Sequence, residues 1–246
     1  MTSRPQEAIV IKTSGSFFRS RNPRYAYGPY FFFDLDGTIT DSKQGIINSV
    51  LYSLNHFGIR ASADSLLFFI GPPLKQSFAR YFPGDSARVA LAVEKYREYF
   101  RRQGMFENQV YPGVPQMLER LIEQGHRIHL ATSKPEVFAR QILDHFQLSR
   151  YFSFVAGAEL NGARNDKVDV LRYALQKTGA DVSHSLMVGD RFHDVVGGHA
   201  VGMKTVGVLY GYGSRQELES VHADYICQSM TDLQTTLLAL GAEMRH

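Results

Sequence analysis

Hydrophobic and polar positions follow two different periods along the chain. Tyr30–Phe33 is an unbroken aromatic run, which indicates a strand buried on both faces. Between residues 42 and 105 the apolar residues recur at helical spacing, with breaks at Gly71-Pro72-Pro73 and Pro83-Gly84. After Tyr111 short apolar runs alternate with helical periods. We therefore expect an α/β protein with a doubly wound parallel sheet and an all-helical insertion after the first strand.

The periodicity divides the chain into a core, an insertion and a leader. Residues 30–41 and 106–246 are predicted to form the α/β core, residues 42–105 a helical cap, and residues 1–29 a basic leader. Asp41 and Gln44 have the spacing of a capping box for the first helix. The predicted strands cover 30–33, 127–131, 152–156, 186–189, 205–209 and 223–227, and the predicted core helices cover 113–124, 134–146, 166–178, 191–201, 214–220 and 230–240.

The first 29 residues differ in composition from the rest of the chain. Ala8–Lys12 is a candidate short strand, and the following segment is rich in Ser, Gly and Arg without a period. No long apolar region follows the basic residues, which excludes a signal peptide. A transit peptide is an alternative, but the composition favours a mobile leader or an upstream start codon.

Composition narrows the classes of function. The formal net charge is +3, too small a bias to indicate nucleic-acid binding. The single cysteine, Cys227, excludes an internal disulfide and a cysteine-based metal cluster, and we expect it to be a buried thiol. No apolar run reaches the roughly 20 residues of a membrane span, so a cytoplasmic protein is expected.

Two carboxylates follow the first strand in Asp34-Leu35-Asp36-Gly37-Thr38. Side chains alternate along an extended backbone, so Asp34 and Asp36 point the same way, while Gly37 and Thr38 are expected to turn their N–H groups towards the same spot. Two like charges at this separation favour a cation, and oxygen ligands suit Mg²⁺. A carboxylate beside a metal can attack phosphorus. The alternative is an ordinary Asp-Gly turn.

Polar residues also follow the later predicted strands. Thr132-Ser133 comes after the second, Lys167 begins the helix after the third, and Asp190 and Asp194 come after the fourth. Each has a simple structural alternative: a helix N-cap, which we favour for Ser133, a solvated lysine, or an acid at a helix N-terminus. A doubly wound sheet binds its ligands where such strand ends meet. Their order and positions together therefore favour a phosphate and metal site.

These motifs resemble those of the haloacid dehalogenase superfamily of Mg²⁺-dependent phosphatases. The resemblance covers about residues 30–240. It rests on Asp34–Thr38 as the first motif, Thr132 as the second, Lys167 as the third, and Gly189-Asp190 with Asp194 as the fourth. The helical insertion resembles that family's cap.

The resemblance implies a role for each motif residue. Asp34 is the nucleophile, and Asp36 protonates the leaving alcohol and then activates water. Mg²⁺ is held by the Asp34 carboxylate, the Asp36 main-chain carbonyl and Asp190, with Asp194 close behind. Thr132 and Lys167 hold the phosphate oxygens. The second aspartate, Asp36, disfavours a dehalogenase or a phosphonate-cleaving enzyme, whereas a sugar-phosphate mutase and a non-catalytic binding protein stay open.

Four segments resemble the 5′-nucleotidase-like branch, with the phosphoglycolate phosphatases as near neighbours: Gly71–Leu74, Thr132–Pro135, the Gly162 and Arg164 stretch, and Val208–Ser214. We therefore expect a small phosphorylated metabolite as substrate, with nucleoside 5′-monophosphates ahead of phosphoglycolate. Selectivity is expected from the cap, where Lys75 and Phe78 are candidate substrate contacts. A solvated lysine and a core aromatic residue are their alternatives.

Overall fold

A computed structural model describes residues 29–245. Its main sheet has six parallel strands in the order β5-β4-β1-β6-β7-β8. The strands are β1 (Tyr30–Phe33), β4 (Arg127–Pro135), β5 (Phe154–Ala158), β6 (Ser185–Gly189), β7 (Lys204–Val208) and β8 (Tyr225–Cys227), while β2 (Thr40–Asp41) and β3 (Gln109–Val110) form a separate antiparallel pair. The α/β fold class with its parallel sheet is confirmed. The predicted strand at Ala8–Lys12 lies outside the described residues.

Strand β1 lies at the centre of the sheet because its aromatic residues need cover on both faces. Phe33 pairs with Leu130 of β4 on one side and with Val188 of β6 on the other. Phe31 and Phe33 enter the larger hydrophobic cluster, whereas Phe32 enters a smaller cluster on the opposite face. All three are fully buried. Helices therefore cover both faces of the sheet, as in a doubly wound fold.

The helices follow the predicted order. They are α1 (Lys43–His56), α2 (Leu74–Ala79), α3 (Ser86–Tyr99), α4 (Val114–Glu123), α5 (Glu136–His145), α6 (Lys167–Thr178), α7 (Phe192–Val201), α8 (Arg215–Ser220) and α9 (Met230–Glu243). A 3-10 helix at Ala63–Phe69 and a π-helical turn at Phe100–Gly104 complete the insertion. In the described part of the chain no helix combines the length and apolar character that crossing a bilayer requires.

The insertion of α1, α2 and α3 follows β1 and β2, as expected for a helical cap. Its interior is aromatic: the Phe69 and Phe78 rings lie 4.8 Å apart, and Tyr96 stacks on Phe100 at 5.5 Å. Arg191 of the core donates from its guanidinium to the Ile70 carbonyl and to Glu217. This bridge holds the Gly71-Pro72-Pro73 corner against the core.

Two local predictions are wrong. Ser42, not Asp41, is the N-cap of α1, and the Ser42 side chain makes no capping hydrogen bond. Asp41 instead accepts hydrogen bonds from the Lys43 N–H and the Tyr212 hydroxyl. Strand β4 continues to Pro135, so α5 begins at Glu136 rather than at Lys134. This second difference changes the active site, because it leaves Lys134 on an extended segment.

Candidate active site

The carboxyl ends of three neighbouring strands bring the predicted residues together. Strand β1 lies between β4 and β6, so Asp34 after β1, Asp190 after β6 and Thr132 in the last part of β4 lie at one edge of the sheet. Lys167 and Asp194 lie in the first turns of α6 and α7, which begin near the same edge. This is the position at which an open parallel sheet binds its ligands.

Three carboxylates form the acidic centre of the site. One oxygen from each of Asp34, Asp190 and Asp194 lies within 4.8 Å of the other two, and all three residues are buried. Buried like charges at this distance repel one another strongly unless a cation lies between them. The donor set consists of hard oxygen ligands, which fits a divalent cation such as Mg²⁺. The side-chain carboxylate of Asp36 lies outside this cluster of described residues.

Lys167 supplies part of the compensating charge. Its Nζ lies 2.9 Å from an Asp34 oxygen and 2.7 Å from an Asp194 oxygen, and it donates to the Ala131 carbonyl at 2.8 Å. Burial lowers the pKa of Lys167, but the charges of Asp194 and Asp34 outweigh burial and raise this pKa above its usual value. The ammonium group is therefore charged throughout the physiological range.

One lysine does not neutralise the cluster. Burial, followed by the Asp194 and Asp36 charges, outweighs Lys167 and raises the pKa of Asp34 from 3.8 to about 6. Burial, then the charges of Asp194 and Asp34, raises the pKa of Asp190 well above its usual value. Burial is the largest cause of both shifts, so three charged carboxylates leave an excess of negative charge that this buried position disfavours. A bound divalent cation would correct this excess, which is the second reason the residues fit a metal.

The Asp190 side chain is held in place by glycine-rich turns. Its Oδ2 accepts the Tyr212 N–H at 2.8 Å. A Cβ at Gly37 would lie 2.2 Å from Asp190 Oδ2, and a Cβ at Gly211 would lie 2.4 Å from Asp190 Cβ. Gly37 also has a φ of 86°, which disfavours other residues. Glycine is required at both positions because the backbone approaches the carboxylate so closely.

Both backbone N–H groups of the Gly37-Thr38 turn donate hydrogen bonds within the turn. The Gly37 N–H donates to the Thr40 carbonyl at 2.8 Å, and the Thr38 N–H donates to the Leu35 carbonyl at 3.3 Å. The prediction that these N–H groups bind phosphate is therefore wrong, because the turn itself uses them. The Thr38 hydroxyl instead lies 3.4 Å from Asp190.

Lys134 is a charged residue of the site that the sequence analysis missed. Its Nζ lies 2.6 Å from each carboxylate oxygen of Asp36, and its side chain is 5% exposed. The backbone N–H of Lys134 donates to the Thr132 hydroxyl oxygen at 3.2 Å. Lys134 follows Thr132 by two positions, so extended alternation would have placed both on one side. The assumption that a helix starts at Lys134, after a Ser133 N-cap, concealed this signal; Pro135 is the N-cap.

A cleft between the cap and the core opens over Asp34 and Asp36. Its cavity volume is about 230 Å³. The cap contributes Lys75 and Arg97 to the lining, and the Glu159–Asn165 loop forms part of the opposite side. Arg164 fixes this loop through ion pairs of 3.1 Å with Glu136 and Glu159. The cap therefore places two cationic side chains on the wall of this cleft.

Phe78 does not line this cleft. The side chain is fully buried and packs against Phe69 and Tyr96 inside the cap. Its predicted role as an aromatic surface for substrate is therefore corrected: Phe78 belongs to the cap core. Phe69, which packs against Phe78 in this core, borders the cleft.

Comparison with known proteins decides the family. The sequence profile of haloacid dehalogenase-like hydrolases matches residues 31–208, which include all four motifs. The chain belongs to the haloacid dehalogenase-like hydrolase family.

Relatives of this family cover most of the chain. A 5′-nucleotidase of Pseudomonas aeruginosa is 43% identical over 210 residues, which are 85% of this chain and 95% of that protein. The tyrosine-protein kinase PtkA of Mycobacterium tuberculosis is 39% identical over 204 residues, 82% of this chain and 67% of that protein. A crystal structure described as a predicted phosphatase from Clostridium acetobutylicum is 43% identical, with a TM-score of 0.84, and covers 87% of this chain and 100% of its own. The chain is a phosphoric monoester hydrolase of this family.

Proposed function

We propose that the enzyme hydrolyses phosphate monoesters through an aspartyl-phosphate on Asp34. A carboxylate oxygen of Asp34 attacks phosphorus, the bond from phosphorus to the leaving oxygen breaks, and Asp36 gives a proton to that oxygen. Water then attacks the phosphoryl group and loses a proton to Asp36, and the bond to Asp34 breaks to release phosphate. The observation that carries this proposal is the different position of the two aspartate side chains. Asp34 lies in the buried acidic cluster, and Asp36 lies outside it beside the cleft.

The phosphoryl group is held by Thr132 and Lys167. Thr132 is buried and lines the cleft, so its hydroxyl can donate to a phosphate oxygen. Lys167 is within 2.9 Å of Asp34 and therefore close to any group bonded to that carboxylate. Phosphoryl transfer depends mainly on position and charge neutralisation, which a buried ammonium group provides.

Mg²⁺ is the proposed cofactor. Asp34, Asp190 and Asp194 would hold it, and the family resemblance adds the main-chain carbonyl of Asp36. When bound, the ion neutralises the charge of the phosphoryl oxygens and of the carboxylate cluster. Tyr212 supports this arrangement, because its N–H fixes the Asp190 carboxylate in the direction of the cluster.

Nucleoside 5′-monophosphates are the proposed substrates. The support is the similarity to the Pseudomonas aeruginosa 5′-nucleotidase, which extends over 95% of that protein. Asp34, Thr132 and Lys167 bind only the phosphoryl group, so the cleft under the cap must recognise the nucleoside. Lys75 of the cap lines this cleft and can contact a ribose or a base, and Phe69 borders the same cleft.

A small phosphorylated acid such as phosphoglycolate is the second candidate. The observation in its favour is Arg97, which lines the cleft. Among residues 29–245, no carboxylate lies within 4 Å of the Arg97 guanidinium. Within the described chain, the Leu160 carbonyl is the hydrogen-bond acceptor of its guanidinium, at 3.4 Å. A cation in this state is suited to a substrate carboxylate. The cavity of about 230 Å³ also suits a small leaving group.

A substrate panel tests the proposal. Phosphate release from AMP, other nucleoside 5′-monophosphates, phosphoglycolate and para-nitrophenyl phosphate is measured with Mg²⁺ and with excess chelator. We expect Mg²⁺-dependent release, with the highest kcat/KM on a nucleotide. Higher kcat/KM on phosphoglycolate would select the second candidate. Conversion of a sugar phosphate to its isomer without phosphate release would indicate a mutase, and binding without turnover on any ester would contradict an enzyme.

A further inference from the structure

The Asp36 carboxylate has one ionic partner in the described chain, and that partner is not among the four family motifs. Lys134 Nζ is 2.6 Å from both Asp36 oxygens. An ammonium group equidistant from both oxygens lies on the bisector of the carboxylate and therefore fixes its rotation as well as its position. No other side chain from residues 29–245 donates a hydrogen bond to Asp36. The direction in which Asp36 points is thus set by Lys134.

Lys134 is itself held by contacts from the core and from the cap. A register shift in the pairing of β4 with β5 falls between Thr132 and Pro135. Within this irregular segment the Lys134 N–H is tied to the Thr132 hydroxyl. From the cap, the Phe100 ring lies with its centroid 5.0 Å from Lys134 Nζ. Phe100 is almost fully buried. The ion pair is therefore shielded from water by the cap, and shielding strengthens an ion pair whose geometry is already good.

We propose that Lys134 is a positioning residue for proton transfer by Asp36. Asp36 must carry its proton to the leaving oxygen and later accept one from water, and both transfers need the carboxyl group within hydrogen-bond reach of the reacting atom. Lys134 keeps that group on the cleft side and out of the acidic cluster around Asp34. Lys134 itself forms and breaks no bond. This inference rests on the proposed function of Asp36.

Dependence on the leaving group distinguishes positioning from a structural role. An activated aryl phosphate has a good leaving group and needs little proton donation, whereas an alkyl ester needs a full proton. Because general acid catalysis contributes typically ~10²–10⁴-fold, loss of a well-placed Asp36 is expected to cost far more on alkyl esters than on activated ones. A residue that only supports the fold, or only binds phosphate, would lower kcat/KM by the same factor on all esters.

The experiment compares log kcat/KM against leaving-group pKa for a series of aryl and alkyl phosphates. Lys134→Met removes the charge but keeps an unbranched side chain of similar length beside Phe100. We expect it to lose about 10²-fold on alkyl esters and less than about threefold on para-nitrophenyl phosphate. Lys134→Gln keeps a hydrogen-bond donor on a shorter side chain. We expect it to lose kcat/KM selectively on alkyl esters as well, but by a smaller factor than Lys134→Met. Lys204→Met, which removes an exposed lysine at the start of β7, is the matched control and should reproduce the wild-type slope.

Asp36→Asn, measured in parallel, separates the two possible failures. If Asp36→Asn steepens the slope and folded Lys134→Met or Lys134→Gln does not, the positioning role is wrong while the function of Asp36 stands. If Asp36→Asn lowers kcat/KM by the same factor on all substrates, the general-acid role of Asp36 is wrong, and the inference about Lys134 is wrong as well. A uniform loss in either folded Lys134 variant overturns the proposal, and circular dichroism with thermal melting establishes that each variant is folded.

Discussion

Asp34→Asn is expected to abolish activity and yet to stabilise the metal-free protein. The pKa of Asp34 rises from 3.8 to about 6, chiefly through burial. Because the folded pKa lies above the unfolded one, the folded state binds the proton more tightly. Below pH 3.8 the carboxyl is protonated in both states, and its contribution to stability is fully present. As the pH rises through about 6, that contribution is lost.

The size of the effect follows from the shift. A difference of about two pKa units corresponds to about 3 kcal/mol at neutral pH. Asparagine has nearly the shape of the protonated carboxyl and carries no charge, so the variant avoids this cost. For a chain of this length, about 3 kcal/mol corresponds to a rise in Tm of about 6–12 °C. The ion pair of Lys167 with Asp194, at 2.7 Å, remains in the variant.

Urea unfolding from pH 4 to pH 8 in excess chelator measures this difference. We expect equal unfolding free energies at the acid end and a gap that opens as the pH rises. Asp64→Asn, which neutralises an exposed aspartate of the cap, is the matched control and should show no such gap. Added Mg²⁺ should stabilise wild type much more than Asp34→Asn, because the variant lacks a ligand. A variant no more stable than wild type at pH 8 would refute the claim that the charged cluster is strained.

Three further predictions concern the metal, the cleft and the cap. Chelation should abolish phosphate release, Mg²⁺ should restore it, and Ca²⁺ should inhibit it. Asp190→Ala should sharply raise the Mg²⁺ concentration needed for half-maximal rate. Full activity in excess chelator would contradict the metal site. Arg97→Ala and Lys75→Ala should each lower kcat/KM on the preferred natural ester about tenfold, the usual effect of losing a charged hydrogen bond. Their kcat/KM on para-nitrophenyl phosphate should change little. Equal losses on both esters would exclude substrate recognition by these residues. Phe78→Ala should lower the free energy of unfolding by ~3–5 kcal/mol without changing the ratio of kcat/KM values between esters. A changed ratio would indicate that Phe78 contacts the substrate.

The parts of the fold that were predictable are those that a local pattern determines. The aromatic run of Tyr30–Phe33 required cover on both faces, and it became the central strand of a parallel sheet. The motif residues Asp34 and Asp190 follow strands that the apolar runs identify directly. Their meeting at one edge then follows from the topology of a doubly wound sheet.

The errors arose where tertiary contacts decide the local structure. Lys134 was assigned to a helix because Ser133-Lys134-Pro135 looks like a helix start, but pairing with β5 extends the strand to Pro135. The turn after Asp36 predicts that the Gly37 N–H points towards the carboxylates, yet the Thr40 carbonyl accepts this N–H. Phe78 and Lys75 lie three positions apart on one helix, and only packing against Tyr96 shows that the aromatic ring turns inward.

The most direct test of the account is whether Asp34 carries the phosphoryl group during turnover. The Asp36→Asn enzyme, in which hydrolysis of the intermediate should be slowed, is mixed with para-nitrophenyl phosphate and quenched in acid. Borohydride then reduces the acyl phosphate, and the peptide that contains Asp34 is analysed by mass spectrometry. The account predicts homoserine at position 34, formed only with substrate. Release of para-nitrophenol with unmodified Asp34, or with the phosphoryl group on another residue, would contradict it.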